Sequence, residues 1–354
     1  MGILKLNETP VRTSRNFNIN NIKLDDVEIP ENIGSFDNVE IINSTSEITV
    51  EKSNNNFNLT YGIGDILVKK VKEEANQNLK LVINNKNNDV TKLNFKFDNQ
   101  NFNLLENIEI IANENSRSTV ILKYESDENT KCFHNGVIRI LAKENSVLHV
   151  IIANFMNSVS NNFMSIENSI ESNANVKYTI VDFGGKNSIT NYYSNLIGDF
   201  SENTINAIYL GNENEVIDLN YIGELRGEKS NIDIKAIGAL NQNAKKNFKG
   251  TIDFKKGCKK AKGNEEEFCM LLSDKAKSIA LPMLLCSEED VEGSHSSSAG
   301  KAEEKELFYI MSRGFSLKEA IKLIIRAKFN KTIENIQDKE LRRQILNEMD
   351  KKLD

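Results

Sequence analysis

The sequence has no tryptophan, 3 prolines and 3 histidines in 354 residues. It also lacks a long hydrophobic run. The longest, Ile279-Ala280-Leu281-Pro282-Met283-Leu284-Leu285-Cys286, is far short of the roughly 20 apolar residues that a membrane span needs, so no membrane association is expected. No apolar stretch follows the basic residues near Met1, which argues against a signal peptide and makes the cytoplasm the expected location. The 4 cysteines, Cys132, Cys258, Cys269 and Cys286, show no CxxC spacing and are expected to be reduced thiols. With 45 basic and 51 acidic residues the net charge is −6, which argues against a nucleic-acid partner. The same small charge, with 39% hydrophobic residues, excludes a disordered chain. Phosphate-binding loops are missing as well. Gly223–Ser230 and Gly293–Lys301 approach the G-x-x-x-x-G-K-[ST] pattern but have the wrong spacing, so this chain is expected to bind no nucleotide. HExxH, GxSxG and a GxGxxG after a strand are all absent.

What is abundant is asparagine: about fifty residues, all but about four before residue 251. In that part short β-branched runs alternate with polar turns. Asn107-Ile108-Glu109-Ile110-Ile111 precedes the turn Glu114-Asn115-Ser116 and then Thr119-Val120-Ile121-Leu122, and the layout recurs from Val137 onward. The first apolar residues after successive turns, Val120, Val147, Val176, Ile205 and Ile232, are 27, 29, 29 and 27 residues apart. A step held this closely is the mark of a stacked repeat, and asparagine suits its corners because it tolerates left-handed backbone. With almost no proline to interrupt them, residues 36–300 are therefore predicted to form a β-solenoid of the parallel β-helix kind. A β-sandwich, the rival reading, gives no reason for so constant a step. Residues 301–354 change to helix formers and carry 13 basic and 10 acidic residues. Ser316-Leu317-Lys318-Glu319 reads as a capping box, and a last helix is expected over about Asp338–Leu353. Residues 1–35 have room for one small helix at most.

Few residues offer chemistry. The segment from Cys286 to Gly300 holds a cysteine, several carboxylates and His295, donors that suit iron or zinc. The plainer reading is a solvated loop with His295 bonded to backbone. Cys269 follows Glu265-Glu266-Glu267-Phe268 and reads first as a core thiol. Cys258 lies among lysines that are expected to lower its pKa. His134 and His149 fall on repeat strands and read as structural.

The stretch Asp290-Val291-Glu292-Gly293-Ser294-His295-Ser296-Ser297-Ser298-Ala299-Gly300, followed by Glu306-Leu307-Phe308-Tyr309-Ile310-Met311-Ser312-Arg313-Gly314-Phe315, resembles the SufB/SufD family. These are scaffold subunits of the SUF iron–sulfur cluster assembly machine, with a V-x-x-S-H-x-x-x-x-G segment and an LFYLxSRG motif. Phe248-Lys249-Gly250, Asp274-Lys275-Ala276 and the opening Thr9-Pro10-Val11-Arg12-Thr13 extend the likeness. The resemblance implies a right-handed parallel β-helix with C-terminal helices and a non-enzymatic scaffold role. It implies two partners: a SufC-type ABC ATPase docked on residues beginning with Phe308, Tyr309, Arg313 and Gly314, and a second SufB/SufD-type subunit in a hetero- or homodimer. A transient iron–sulfur cluster would form at the subunit interface. His295 matches the family's interface histidine. Glu267 falls where SufB-type members carry a key cysteine, and Cys269, two residues along the same strand face, is the candidate substitute. Ser296 stands where those members have glutamate, so the chain looks more like SufD than SufB. The competing functions are a β-helix enzyme acting on polysaccharide, for which no secretion signal or clear acidic cluster is seen, and a solenoid adaptor that binds no metal.

Overall fold

The computed structural model describes residues 3–12, 19–43, 45 and 47–354. Two short strands, β1 (Leu4–Leu6) and β2 (Ile22–Leu24), pair antiparallel where a small helix had room. Thr13, the last residue of the opening motif, lies outside the described residues. After β3 (Val39–Asn43), β4 (Ile48–Lys52) and helix α1 (Asp65–Glu74), the chain winds through strands that alternate between two sheets. These are β5 (Gln77–Ile83), β6 (Asp89–Phe97), β7 (Asn103–Ala112), β8 (Arg117–Ser126), β9 (Phe133–Ala142), β10 (Val147–Phe155), β11 (Asn161–Ile170) and β12 (Asn175–Asp182). They continue as β13 (Asn187–Leu196), β14 (Glu202–Gly211), β15 (Val216–Leu225), β16 (Asn231–Leu240), β17 (Lys245–Phe254), β18 (Ala261–Leu271), β19 (Lys277–Cys286) and β20 (Val291–Gly300). From β6 and β5 onward, even strands stack parallel in one sheet and odd strands in the other. The protein is a parallel β-helix, and the sandwich reading falls because each strand pairs with the strand two ahead.

The register refines the repeat. Val120 pairs with Val150, and the column continues through Tyr178, Ile205, Ile234, Glu265 and His295. Val147 pairs instead with Arg117, and Val176 with Leu148. The period read from the sequence is right, but counting from the first apolar residue slips, because that residue falls at a different position in each strand: fourth in β8, first in β10 and second in β12.

Alternate residues of each strand point into the coil. Val120, Val150, Tyr178, Ile205 and Ile234 are fully buried in one continuous apolar core. Tyr192 meets Tyr178 and Tyr221 edge-to-face, and Tyr221 meets Phe248 in the same way. At one corner the chain turns through a left-handed residue in each coil: Asn115, Asn145 and Asn173, then Phe200, Lys229 and Lys260, all with φ between 56° and 60°. Each donates its N–H to a carbonyl of the next coil, as Asn145 does to Ser172. Asparagine also bonds asparagine between coils, Asn113 to Asn84 at 2.6 Å and Asn187 to Asn161 at 2.8 Å.

The two ends differ. At the start, β3 and β4 run antiparallel to β6 and β5 and close both sheets with short strands. At the other end β19 and β20 are the last strands of their sheets, and among the described residues nothing further pairs with them. The segment that includes His295 is thus a strand, β20, where the plainer sequence reading had a loop.

Both outer faces are partly covered. Leu6, Leu67 of α1, Leu105, Phe133, Phe163 and Ile189 form a cluster on the odd sheet. Helices α2 (Glu304–Met311), α3 (Leu317–Glu334) and α4 (Lys339–Leu353) follow β20 and fold back over the even sheet. Ile324, Ile325 and Phe329 of α3 and Ile345 of α4 pack on Ile151, Val181, Ile208 and Ala239. The Ser316–Glu319 capping box forms, and Asp338 caps α4 through the Leu341 N–H. Lys352 pins α4 to Glu215 at 2.7 Å, and Lys92 pairs with Asp338. Among the described residues no helix is long and apolar enough to cross a membrane.

Candidate functional site

The last two coils change the chemistry of the core. On β18 the buried, inward residues are Gly263, Glu265, Glu267 and Cys269. On β20 the same column positions are Gly293, His295, Ser297 and Ala299, so His295 lies over Glu265, Ser297 over Glu267 and Ala299 over Cys269. The inward sense of β20 follows from Gly293, where an added Cβ would press on Phe254 and Leu284. Glu267, Cys269 and His295, all named from sequence, therefore share one face at the open end of the coil.

Their environments differ. The Glu267 carboxylate is engaged by three donors: Lys246 Nζ at 2.6 Å, the Tyr209 hydroxyl at 2.8 Å and the Ser297 hydroxyl at 2.8 Å. Lys246 is itself fully buried and donates also to the Ile279 carbonyl at 3.3 Å. A fully buried ion pair survives only with such extra hydrogen bonds. Cys269 is fully buried beside this pair, and burial raises its thiol pKa while Lys246 partly opposes the shift. His295 is exposed on the terminal strand.

Glu265 contrasts with Glu267. It is fully buried, yet among the described residues neither carboxylate oxygen has a hydrogen-bond partner. Burial, with a smaller contribution from the like charge of Glu267, pushes its pKa to about 8. Its side chain crosses the coil to Gly250, where an added Cβ would fall 2.1 Å from Glu265 Oε1. Only glycine leaves space for the carboxyl there.

Glu265, Lys246 and Tyr209 were not singled out from sequence. A signal existed in the column that runs through Val120, which turns ionisable at its end, but it is readable only with the register in hand. Cys258 departs from expectation. It is buried, and desolvation raises its pKa to about 11 instead of the flanking lysines lowering it. Lys256, Lys259 and Lys260 are exposed, and Lys255 is paired with Asp253 at 2.6 Å. Cys286 is exposed, its thiol donating to the Glu288 carbonyl at 2.9 Å. His134 and His149 serve structure: His134 bonds Asn162 and Glu106 inside the coil, and His149 bonds Thr179. Among the described residues no group of three or more His, Cys, Asp or Glu side chains is arranged to hold a metal.

A second feature lies beside this end. Leu307 and Ile310 of α2 pack on the helical cluster, while Phe308 and Tyr309 turn outward, 75% and 57% exposed. The Arg313 guanidinium stacks on Tyr309, 4.7 Å from the ring centre, and Gly314 makes the turn into α3 at φ 96°. Phe315, Leu317 and Leu323 extend the exposed apolar surface.

A family model described as "SUF system FeS cluster assembly, SufBD core domain" matches residues 95–328. This chain belongs to the SufBD family. The match runs from β6 into α3 and so includes the coil, the terminal strands and the first helices. Among relatives, the chain is 23% identical over 252 residues to the iron–sulfur cluster assembly protein SufD of Bacillus subtilis, covering 71% of this chain and 58% of that one. It is 25% identical over 237 residues to a SufBD family protein of Staphylococcus epidermidis, 65% of this chain and 50% of the relative. It is 32% identical over 176 residues to a SufBD family protein of Pyrococcus horikoshii, 46% of this chain and 36% of the relative. The chain thus spans about half the length of the curated SufBD relatives it matches.

Proposed function

We propose that this chain is a non-enzymatic, cytoplasmic scaffold subunit of SUF iron–sulfur cluster assembly. It comprises a short leading segment (1–35), a solenoid core (36–300) and a helical docking region (301–354). The docking region receives a SufC-type ABC ATPase on a surface that begins with Phe308, Tyr309, Arg313 and Gly314. This division of labour leaves nucleotide to the partner. The open end of the coil pairs with a second SufB/SufD-type subunit, either another copy or a different chain. The nascent cluster is cargo at that junction, with His295 as a ligand and Cys269 and Glu267 as further ligands. Glu267 would enter the coordination set through Oε2 by giving up Ser297, or through Oε1 by giving up Lys246 and Tyr209.

One observation carries this reading. Both sheets end on strands with free edges, and there the apolar core gives way to ionisable groups. Free sheet edges template pairing with another chain, and ionisable groups with strongly perturbed pKa values cluster at functional sites.

The test is co-purification with the SUF ATPase of the same source, comparing the native chain with a Phe308→Ala/Tyr309→Ala variant. Truncating the whole tail is less informative, since α3 and α4 cover Ile151 and Ile208. Capture by the native chain that the variant loses is the expected result. Equal capture by both would displace the docking surface, and capture by neither would remove the ATPase from the reading. His295→Ala should keep ATPase capture while cluster delivery fails.

A further inference from the structure

We propose that Cys258 and Cys286 are a redox pair that closes reversibly to a disulfide and staples the last two coils together at one corner. The inference is independent of the scaffold reading above.

The argument starts from the turn between β17 and β18. Ser201 and Ser230 each donate an N–H to the carbonyl of the glycine three residues back, Gly198 and Gly227, and Ala261 donates in the same way to Cys258. Cysteine thus stands where the two preceding coils have glycine. Neither glycine leaves room for a side chain. A Cβ on Gly198 would fall 2.0 Å from the Ser172 nitrogen, and one on Gly227 would fall 1.9 Å from the Gly198 oxygen. The β17–β18 turn is one residue longer, 255–260 against 226–230, and Gly257 adopts φ 103° within it. That slack admits a side chain, and the Cys258 thiol joins the apolar core, fully buried.

The next coil brings a second thiol to that corner. Cys286 ends β19 in register with Phe254, the last residue of β17. The loop that follows is tied to the turn below it. The Ser287 N–H donates to the Phe254 carbonyl at 2.8 Å, the Gly257 N–H to the Glu288 carboxylate at 2.9 Å, and the Lys260 N–H to the Asp290 carbonyl at 2.5 Å. The Cys286 thiol donates to the carbonyl of the same Glu288, at 2.9 Å. One residue is therefore held both by Cys286 and by the neighbour of Cys258. The two thiols are close enough that charge on Cys286 contributes to raising Cys258.

Their exposure sets the order of reaction. Cys286 is exposed and reacts first with a disulfide oxidant: its thiolate attacks one sulfur, forms a mixed disulfide and expels one thiolate. The Cys258 thiolate then attacks the Cys286 sulfur and expels the other half of the oxidant. Two cysteine thiols lose two electrons and two protons, and one oxidant molecule becomes two thiols. Cys258 is buried with a pKa of about 11, so its thiolate is scarce near neutral pH and the second step is slow. Reduced, this corner is held by hydrogen bonds alone; oxidised, it is held covalently beside the free edge of β19.

The experiment treats the reduced full chain with Ellman's reagent, an aromatic disulfide, at pH 8 and follows release of thionitrobenzoate. The expected result is one rapid equivalent from Cys286, then a second released at least tenfold more slowly as Cys258 closes the disulfide. The product should be monomeric and carry no bound thionitrobenzoate. Lys259, Lys260, Lys262, Lys275 and Lys277 lie between the two cysteines, so trypsin leaves them on separate peptides. Mass spectrometry should find those peptides joined, and dithiothreitol should part them. Cys258→Ala should release one equivalent and keep the other half of the reagent on Cys286, and Cys286→Ala should lose the rapid equivalent. A native chain that retains the reagent on Cys286, with no joined peptides, overturns the proposal. So does a second equivalent that survives in Cys258→Ala, or a dimer linked through Cys286. Should Cys258→Ala fail to fold, the joined peptides of the native chain decide alone.

Discussion

His295 stands one coil above Glu265 on the inner face of the last rung, an exposed imidazole over a buried carboxyl with no partner among the described residues. An unpaired carboxyl placed mid-coil would carry its desolvation cost permanently. At the end of the stack that cost is open to relief by whatever arrives there.

Glu265 makes stability depend on pH in metal-free buffer. Its folded pKa, about 8, lies above the ordinary 4.5, so between those values the folded chain holds a proton that the unfolded chain has released. Its contribution is intact below pH 4.5 and is lost as pH rises through 8. Relative to Glu265→Gln, the native chain should lose stability over that window, at a slope of up to about 1.4 kcal/mol per pH unit. Urea unfolding of both proteins at pH 5, 6.5 and 8 measures it. Parallel curves would show that Glu265 is relieved within the chain itself.

Lys246 compensates Glu267 where no water reaches. Lys246→Met should destabilise by about 3–5 kcal/mol, because the carboxylate is left uncompensated. Adding Glu267→Gln should recover part of the loss. Denaturant midpoints of the single and double variants decide it, and a mild single variant would mean that Glu267 does not depend on Lys246 for compensation.

Phenylalanines on the helices should separate stability from docking. Phe329 is buried between α3 and the even sheet, so Phe329→Ala should cost about 3–5 kcal/mol. Phe308 is 75% exposed, and Phe308→Ala should change stability by less than about 0.5 kcal/mol. Thermal or urea unfolding reads both.

Thiol labelling should sort the four cysteines. Cys286 is exposed, whereas Cys132, Cys258 and Cys269 are buried, with Cys132 and Cys258 each raised to about 11 by desolvation. Ellman's reagent at pH 8 should titrate one thiol rapidly in the native chain and four after denaturation. Rapid modification of Cys258 would contradict its place in the core.

Lys260 occupies the left-handed corner that Asn115, Asn145 and Asn173 fill in earlier coils. Lys260→Asn should stabilise by about 0.5–1 kcal/mol, since the short polar side chain bonds locally and tolerates that backbone better. A lowered urea midpoint would show that the lysine contributes something the corner geometry does not reveal.

The solenoid was legible because its period is written in β-branched runs and corner asparagines, both local signals. The helices were legible for the same reason, through the Ser316–Glu319 box and the apolar spacing of α3. Register was not, since a parallel coil joins residues about 30 apart and a turn longer or shorter by one residue shifts every later pair. Glu265 and Lys246 were invisible for that reason. Read locally, Glu265 is one of three consecutive glutamates and Lys246 one of two lysines. Only the fold says which of each turns inward. Cys258 was misjudged because flanking charge in sequence is not charge facing the thiol in space.

The antiparallel strands β3 and β4 give the coil a direction. A rod with identical sticky tips polymerises, but here one tip is blunted by short strands running the wrong way to continue the stack. Association through the remaining tip consumes it. Two such chains meeting end to end through β19 and β20 would leave only the short antiparallel edges of β3 and β4 outside, which disfavours growth past two.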